Sequence, residues 1–189
     1  MAEHVDNAKA FRNALASFAT GVTIVTAIDD KGSAVGVTAN SFNSVSLEPA
    51  LVLWSLAKKA RSFPVYEKAK HFAIHVLADN QMDLSNRFAT PQADKFLGLK
   101  YIHGRGGVPL LEGCVSQFQC ETRQLIDGGD HVIFLGEVVE FCTSNRNGLL
   151  YHNGKYSISR IHPDIDTSLT DGQKKTAAQS RTRAQAVAA

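Results

Sequence analysis

The segment GVTANSFNSVSLEPALVLWSL, residues 36–56, places small polar residues between two apolar runs that have the composition of strands. A turn needs about two such residues, and a strand face would alternate them with bulky apolar side chains. Six hydroxyl and amide residues occur here: Thr38, Asn40, Ser41, Asn43, Ser44 and Ser46. The segment therefore offers more neutral hydrogen-bonding groups than a turn or a strand edge requires.

The composition is that of an ordinary globular domain. Of the 189 residues, 44% are hydrophobic and 20% are charged, and the formal net charge is +2. This charge is too small to predict a nucleic-acid or membrane partner, and no apolar run reaches the roughly 18 residues of a spanning helix. The N-terminal residues lack a signal peptide's apolar core, and the three cysteines show no C-x-x-C spacing. We expect a cytoplasmic protein without disulfides or a metal site.

Strand patterns dominate the chain between residues 20 and 159. β-Branched and apolar runs are separated by turn signals such as DDKG (29–32), DGGD (127–130) and Asn153–Gly154. Predicted strands lie at 20–29, 33–38, 50–56, 71–78, 115–126 and 131–141, followed by a hairpin at 148–159. Because they do not alternate strictly with helices, they predict a mainly antiparallel β-barrel with peripheral helices. The continuous apolar run at 50–56 predicts a strand buried on both faces, with Trp54 in the core and a partner for its indole N–H.

Helical spacing of apolar residues is found outside these runs. Predicted helices lie at 6–18, 61–70 and 79–90, the last with Asp79 or Asn80 as its N-cap. Residues 100–113 are rich in glycine and predict a loop. Residues 164–189 contain few large apolar side chains, so we expect a flexible tail after a domain spanning 1–163.

The usual catalytic motifs are absent from the sequence. It has no G-x-S-x-G, H-E-x-x-H or G-x-x-x-x-G-K-[ST] motif. His71 and His75 share one face of a predicted strand, and we expect them at the surface or at a sheet edge rather than on a metal ion. Many neutral donors and acceptors with few acid–base groups suit a planar ligand that carries its own reactivity, such as a flavin ring.

A basic segment follows the strand at 50–56. It contains Lys58, Lys59, Arg61 and Ser62 at the start of a predicted helix. Cations and backbone N–H groups at such a position would bind a phosphate. A solvated basic turn with a serine cap is the alternative, and these residues alone leave both interpretations open.

Six segments occur in the order found in a known family. They are FATGVTIVT, GVTANSFNSVSLEPALVLWSL, ARSF, FAIHVLADNQMDLSNRFA, GGDHVIFLGEVVEF and LLYHNGKY. Over about residues 11–159 the chain resembles the short-chain flavin reductases of two-component monooxygenases, the flavin reductase-like split-barrel family. The resemblance implies an antiparallel split β-barrel of the FMN-binding type and a homodimer. It also implies hydride transfer from NADH, with NADPH as the alternative, to FMN or FAD, and delivery of reduced flavin to an oxygenase component.

The same resemblance implies roles for residues at matching positions. The flavin site would comprise Thr38, Ala39, Asn40, Ser41, Ser55, Leu56, Arg61, Ser62, Arg87 and Phe88. Arg61 and Ser62 would hold the phosphate. His131, in a Gly-Asp-His motif, and Tyr156 would face the nicotinamide nucleotide. No residue is expected to act as an acid or base, because the two nucleotides carry the chemistry.

Other interpretations stay open at this point. His131 also suits the first position of a strand after a hairpin turn, and Phe88 has the helical spacing of a core residue. Three alternative functions remain: an electron carrier with tightly bound flavin, a reductase of a ferric or corrin complex, and a nucleic-acid or partner-binding module that uses the basic tail.

Overall fold

Twelve strands and three α-helices occur in a computed structural model, which describes residues 7–91, 94–162, 164 and 165. The strands are β1 (Thr20–Gly21), β2 (Thr23–Ile28), β3 (Ala34–Ala39), β4 (Asn43–Leu47), β5 (Ala50–Ala57), β6 (His71–Val76), β7 (Tyr101–His103), β8 (Pro109–Leu111), β9 (Ser116–Gly128), β10 (His131–Thr143), β11 (Leu149–His152) and β12 (Lys155–Ile158). The helices are α1 (Ala8–Ala16), α2 (Phe63–Lys68) and α3 (Met82–Ala89).

Seven antiparallel strands form the main sheet, in the order β3-β2-β6-β9-β10-β5-β4. The first strand of this order, β3, contacts β5 although no hydrogen-bonded ladder joins them. The six strands from β3 to β5 therefore curl into a barrel with a split between β3 and β5. The predicted mainly antiparallel split β-barrel is confirmed.

The barrel interior is filled from one face of each strand. On β5, Val52, Trp54 and Leu56 are buried in the core, whereas the side chains between them are only half-buried. The prediction that this run is buried on both faces is wrong, because an antiparallel sheet can pack on one face and leave the other partly open.

An aromatic cluster forms the centre of the core. The Trp54 ring stacks on Phe134 at 4.7 Å and meets the edge of Tyr66 at 5.0 Å. Tyr66 donates its hydroxyl to the Val25 carbonyl at 2.6 Å and so fastens α2 to the barrel, and burial raises its pKa. The Trp54 indole N–H is buried and has no hydrogen-bond partner among the described residues, contrary to the expected pairing.

Two connections differ from the sequence prediction. Helix α3 begins at Met82 with Gln81 as its N-cap, in place of Asp79 or Asn80. The Gln81 amide accepts from the Ala78 N–H and donates to the Glu112 carbonyl, both at 2.9 Å. Residues 100–113 form the β7–β8 hairpin and not an irregular loop, with left-handed backbone at Gly106 and Gly107 (φ 61° and 80°) in its turn.

His75 lies in the core, which corrects its expected place at the surface or a sheet edge. It is fully buried on β6, with Nδ1 at 3.0 Å from the Ile24 carbonyl, and its Nε2 accepts from the Leu111 N–H at 3.1 Å. A neutral ring with its proton on Nδ1 therefore makes a hydrogen bond through each of its two nitrogens. Burial lowers the pKa of His75 to about 4.

The chain divides into two units near residue 158. Residues 1–158 form one unit and residues 159–189 a second. Of the predicted tail, only residues 164 and 165 are described, so the boundary after residue 163 and the tail's flexibility stay predictions. In the described ranges, no helix is long and apolar enough to cross a membrane, and no cluster of three or more metal-ligating side chains occurs.

The buried His75 predicts an acid-dependent loss of stability. The folded pKa of about 4 lies below the ordinary value of 6.5, so the unfolded chain takes up this proton first as the pH falls. Between pH 7 and pH 5, the free energy of unfolding should fall by about 2 kcal/mol more in the wild type than in His75→Gln. Urea denaturation at both pH values measures this difference. The exposed control His103→Gln should keep the wild-type dependence, and an equal dependence in His75→Gln would contradict the account.

Candidate active site

A cleft of about 640 Å³ opens between β3, the turn after β5 and the segment that follows α3. Its lining comes from residues 34–37, 57, 59–62, 65, 88, 89, 91 and 94–96. Apolar walls are provided by Val35, Val37, Phe88 and Phe96, and the cations are Lys59, Arg61 and Lys95. An apolar cleft with cations in its lining suits a planar ligand that bears a phosphate.

Three of the ten predicted flavin residues line this cleft: Arg61, Ser62 and Phe88. Arg61 is exposed and Ser62 is half-buried, whereas the Phe88 ring is fully buried and meets the edge of Phe96 at 5.1 Å. Phe88 is thus both a core residue and part of the cleft wall. Arg87, on the same helix, donates from Nη2 to the Leu97 carbonyl and ties α3 to the segment that follows it.

The four predicted residues at the end of β3 continue directly from the lining residues 34–37. Thr38 donates its hydroxyl to the Ser85 carbonyl on α3 at 2.6 Å, and the Ala39 carbonyl accepts from the Thr23 hydroxyl at 2.6 Å. Asn40 is exposed, and its side-chain amide makes no hydrogen bond to any described residue. Of this group, Asn40 therefore has a polar side chain that is exposed and is not used by another described residue.

Ser41 and Ser55 face each other across the split in the barrel. The Ser41 Oγ accepts from the Ser55 N–H at 2.8 Å and donates to the Ser55 carbonyl at 3.1 Å. One side chain therefore satisfies both backbone groups of Ser55, as a neighbouring strand would. Leu56, the next predicted flavin residue, is buried, and its side chain packs in the barrel interior.

The turn after β5 offers side-chain cations together with the backbone N–H groups of Arg61 and Ser62, which make no hydrogen bond to a described residue. Helix α2 has only six residues, and Pro64 in its first turn has no N–H. The N–H groups of Phe63 and Val65 are already bonded to the carbonyls of Ala60 and Ser62. The Ser62 hydroxyl makes no capping bond within α2. A phosphate site at this turn, with side-chain cations and backbone N–H groups as donors, stays a prediction.

The two predicted nicotinamide residues occupy different places. His131 begins β10 opposite Ala57, which lines the cleft, and its Nδ1 lies 2.7 Å from the Asp130 carboxylate. Pairing with His131 lowers the pKa of Asp130. Tyr156 lies instead at a second cleft of about 440 Å³, whose charged lining residues are Asp79 and Asp83.

The Tyr156 hydroxyl is engaged by α3. It donates to the Asn86 side-chain oxygen at 2.9 Å and lies 2.9 Å from the buried Ser85 Oγ. These contacts fix α3 against β12 and therefore help to place Phe88 in the cleft wall. The structure thus brings Arg61, Ser62 and Phe88 together, with Thr38 and His131 beside them, and leaves Tyr156 elsewhere.

Sequence reasoning missed the segment after α3. Lys95 and Phe96 line the cleft, and Asp94 accepts from the backbone N–H groups of Phe96 and Leu97 at 2.8 and 3.1 Å. The sequence signal for this segment was Asp94, an acidic residue that can cap a short turn, placed just before the aromatic Phe96. It is weak, because the segment belongs to no helix or strand.

Comparison with known proteins gives the family. The family described as "Flavin reductase like domain" matches residues 15–159. The reductase component of a flavin-dependent trigonelline monooxygenase from Acinetobacter baylyi is 44% identical over 80% of this chain and 49% of its own. The NADH-dependent FMN reductase SmoA from Agrobacterium fabrum is 43% identical over 82% of this chain and 90% of its own.

A solved structure shows the same fold. The NADH:FAD oxidoreductase SgcE6 of Streptomyces globisporus, in complex with NAD and FAD fragments, superposes with a TM-score of 0.80. It is 35% identical and covers 88% of this chain and 99% of its own. The chain therefore belongs to the flavin reductase-like family, although it spans only about half the length of the Acinetobacter relative.

Packing in the cleft wall depends on Gly36. A Cβ at this position would lie 2.3 Å from the Phe88 ring, which is buried and cannot move aside freely. We expect Gly36→Ala to lower the free energy of unfolding by about 1–3 kcal/mol, because it displaces Phe88, and to weaken ligand binding in the cleft. Gly21→Ala is the matched control, since a Cβ there meets no atom within 4 Å. Equal denaturation midpoints for the two variants would contradict this packing.

Proposed function

We propose that this chain is an NAD(P)H-dependent flavin reductase that transfers hydride from NADH, with NADPH as the alternative donor, to FMN or FAD. Reduced flavin then passes to an oxygenase component. The observation that carries the proposal is the cleft that combines the apolar walls of Val35, Val37 and Phe88 with the cations Lys59 and Arg61. The names of the trigonelline monooxygenase reductase and of SmoA support the oxygenase partner and the use of NADH.

The described residues fit a flavin. Val35 and Val37 on β3 are half-buried and offer apolar surface for the ring, and Arg61 with Ser62 suits the phosphate. The Asn40 amide, just beyond the end of β3, suits the ring's polar edge. Five other predicted flavin residues have polar groups or side chains that are already engaged within the protein. We propose that these residues contact the flavin through their backbone or position other groups that do. They are Thr38, Ala39, Ser41, Ser55 and Leu56.

The chemistry is supplied by the nucleotides: hydride leaves C4 of the nicotinamide and reaches N5 of the flavin. The chain's part is to orient both ligands and to limit water between them. We propose that His131 contacts the nicotinamide nucleotide through Nε2. Its Nδ1 is paired with Asp130, and the residue lies opposite Ala57 at the edge of the cleft. Tyr156 and Arg87 act through α3 in this proposal.

A homodimer is proposed from the exposed apolar residues. Helix α1 has no buried residue, and Phe11, Leu15 and Phe18 are 49%, 59% and 76% exposed. Leu47 on the edge strand β4 is 95% exposed, and Phe141 on β10 is 69% exposed. A second copy of the chain would cover such surfaces. A cytoplasmic location is also proposed, since all three cysteines are free.

An oxidation assay tests the activity. The absorbance of NADH or NADPH is monitored while FMN or FAD is titrated in. We expect a rate that saturates with added flavin. Arg61→Met should raise the KM for FMN about tenfold because a charged phosphate contact is lost, while the exposed control Arg146→Met should not. A protein that is purified yellow and shows no dependence on added flavin would favour the electron carrier or a reductase of another acceptor. No oxidation with any pair of nucleotides would refute the proposal.

Sedimentation equilibrium tests the dimer. The wild type should sediment at twice the 20.5 kDa chain mass. The double variant Leu15→Ser/Phe18→Ser should shift toward the monomer, because it removes apolar surface from α1. Leu97→Ser, at a residue 73% exposed on another segment, is the control. A wild-type monomer at micromolar concentration would overturn the dimer without affecting the proposed activity.

A further inference from the structure

Lys95 is a half-buried cation in the cleft wall whose role is unassigned. Its ammonium donates to the Phe88 carbonyl at 2.5 Å and to the Gly36 carbonyl at 3.2 Å. An ammonium has three donors, so these bonds leave one donor over. Within the described part of the chain, no carboxylate lies within ion-pair distance of Lys95.

The surroundings of Lys95 favour an anion. Burial lowers the pKa of Lys95, because the positive charge is partly withdrawn from water. The neighbouring Asp94 uses one carboxylate oxygen to cap the turn at Phe96 and Leu97. By contrast, Lys58 outside the cleft is neutralised by Asp127 at 2.5 Å. An anionic group that entered the cleft would supply the missing charge.

Two separate segments direct cations to one cleft. Lys59 and Arg61 come from the turn after β5, and Lys95 comes from the segment after α3. The carbonyls that hold Lys95 belong to β3 and to the last turn of α3, so its ammonium is fixed relative to both walls. A cation held in this way needs little further ordering to bind a ligand.

We propose that Lys95 binds the phosphate ester of the flavin in the cleft, together with Arg61. This inference rests on the proposed function and adds a residue that recognises the phosphate rather than the ring. The diphosphate of the nicotinamide nucleotide shares the same chemistry, and the experiment separates the two sources.

Riboflavin, which has the flavin ring but no phosphate, makes the test specific. Binding of riboflavin, FMN and FAD is measured by quenching of flavin fluorescence in the wild type, Lys95→Met and Lys95→Gln, with Lys100→Met as an exposed control. Lys95→Gln retains N–H donors for the two carbonyls but has no charge, so it keeps the test valid if Lys95→Met folds poorly. Thermal denaturation of each variant reports on folding, and NADH oxidation with saturating FMN gives the KM for NADH of each variant.

The preference for FMN over riboflavin should fall about tenfold or more in both Lys95 variants, because the lost contact is to a charged group. Lys100→Met should keep the wild-type preference. Weakening of riboflavin and FMN by the same factor would overturn the proposal and leave Lys95 as a clamp between β3 and α3. Unchanged flavin affinities with a higher KM for NADH would overturn it in favour of the nicotinamide diphosphate. A wild type that binds none of the three flavins would refute the proposed function itself.

Discussion

The barrel is closed between β3 and β5 by a side chain instead of a ladder of backbone hydrogen bonds. Ser41 accepts from the Ser55 N–H and donates to the Ser55 carbonyl, at 2.8 and 3.1 Å. Because this contact lies at one end of β3, the strand is free to diverge from the chain that follows β5. The cleft opens between these two segments, so the split in the sheet creates the space for a ligand.

The second wall of the cleft is helix α3, which is held by polar contacts from several elements. Thr38 bonds to the Ser85 carbonyl from β3, and Tyr156 bonds to Asn86 from β12. Packing of Phe88 against Gly36 then places an aromatic ring in the wall. Several hydroxyl groups in the predicted ligand site thus hold the walls of the cleft together. The polar groups that remain for a ligand are fewer than the sequence suggested, and they include the cations Lys59, Arg61 and Lys95.

Local signals in the sequence predicted the hairpins and helices, because turn residues and apolar periodicity depend on neighbours in the chain. They failed where a residue's partner is distant in sequence. The buried position of His75 depends on the Leu111 N–H, 36 residues away, and no local pattern shows this. The position of the Lys95 ammonium depends in the same way on the carbonyl of Gly36, 59 residues away. For the site, the family resemblance indicated residues at the end of β3, in the turn after β5 and on α3, whereas the packing of α3 decides which of these side chains line the cleft.

We expect the cleft between β3, the turn after β5 and the segment after α3 to hold a flavin. A crystal structure of the protein grown with FMN tests it most directly. We expect electron density for the ring against Val35 and Val37 and for the phosphate beside Arg61 and Lys95. FMN bound elsewhere in the protein, with no ligand density in this cleft, would refute this placement.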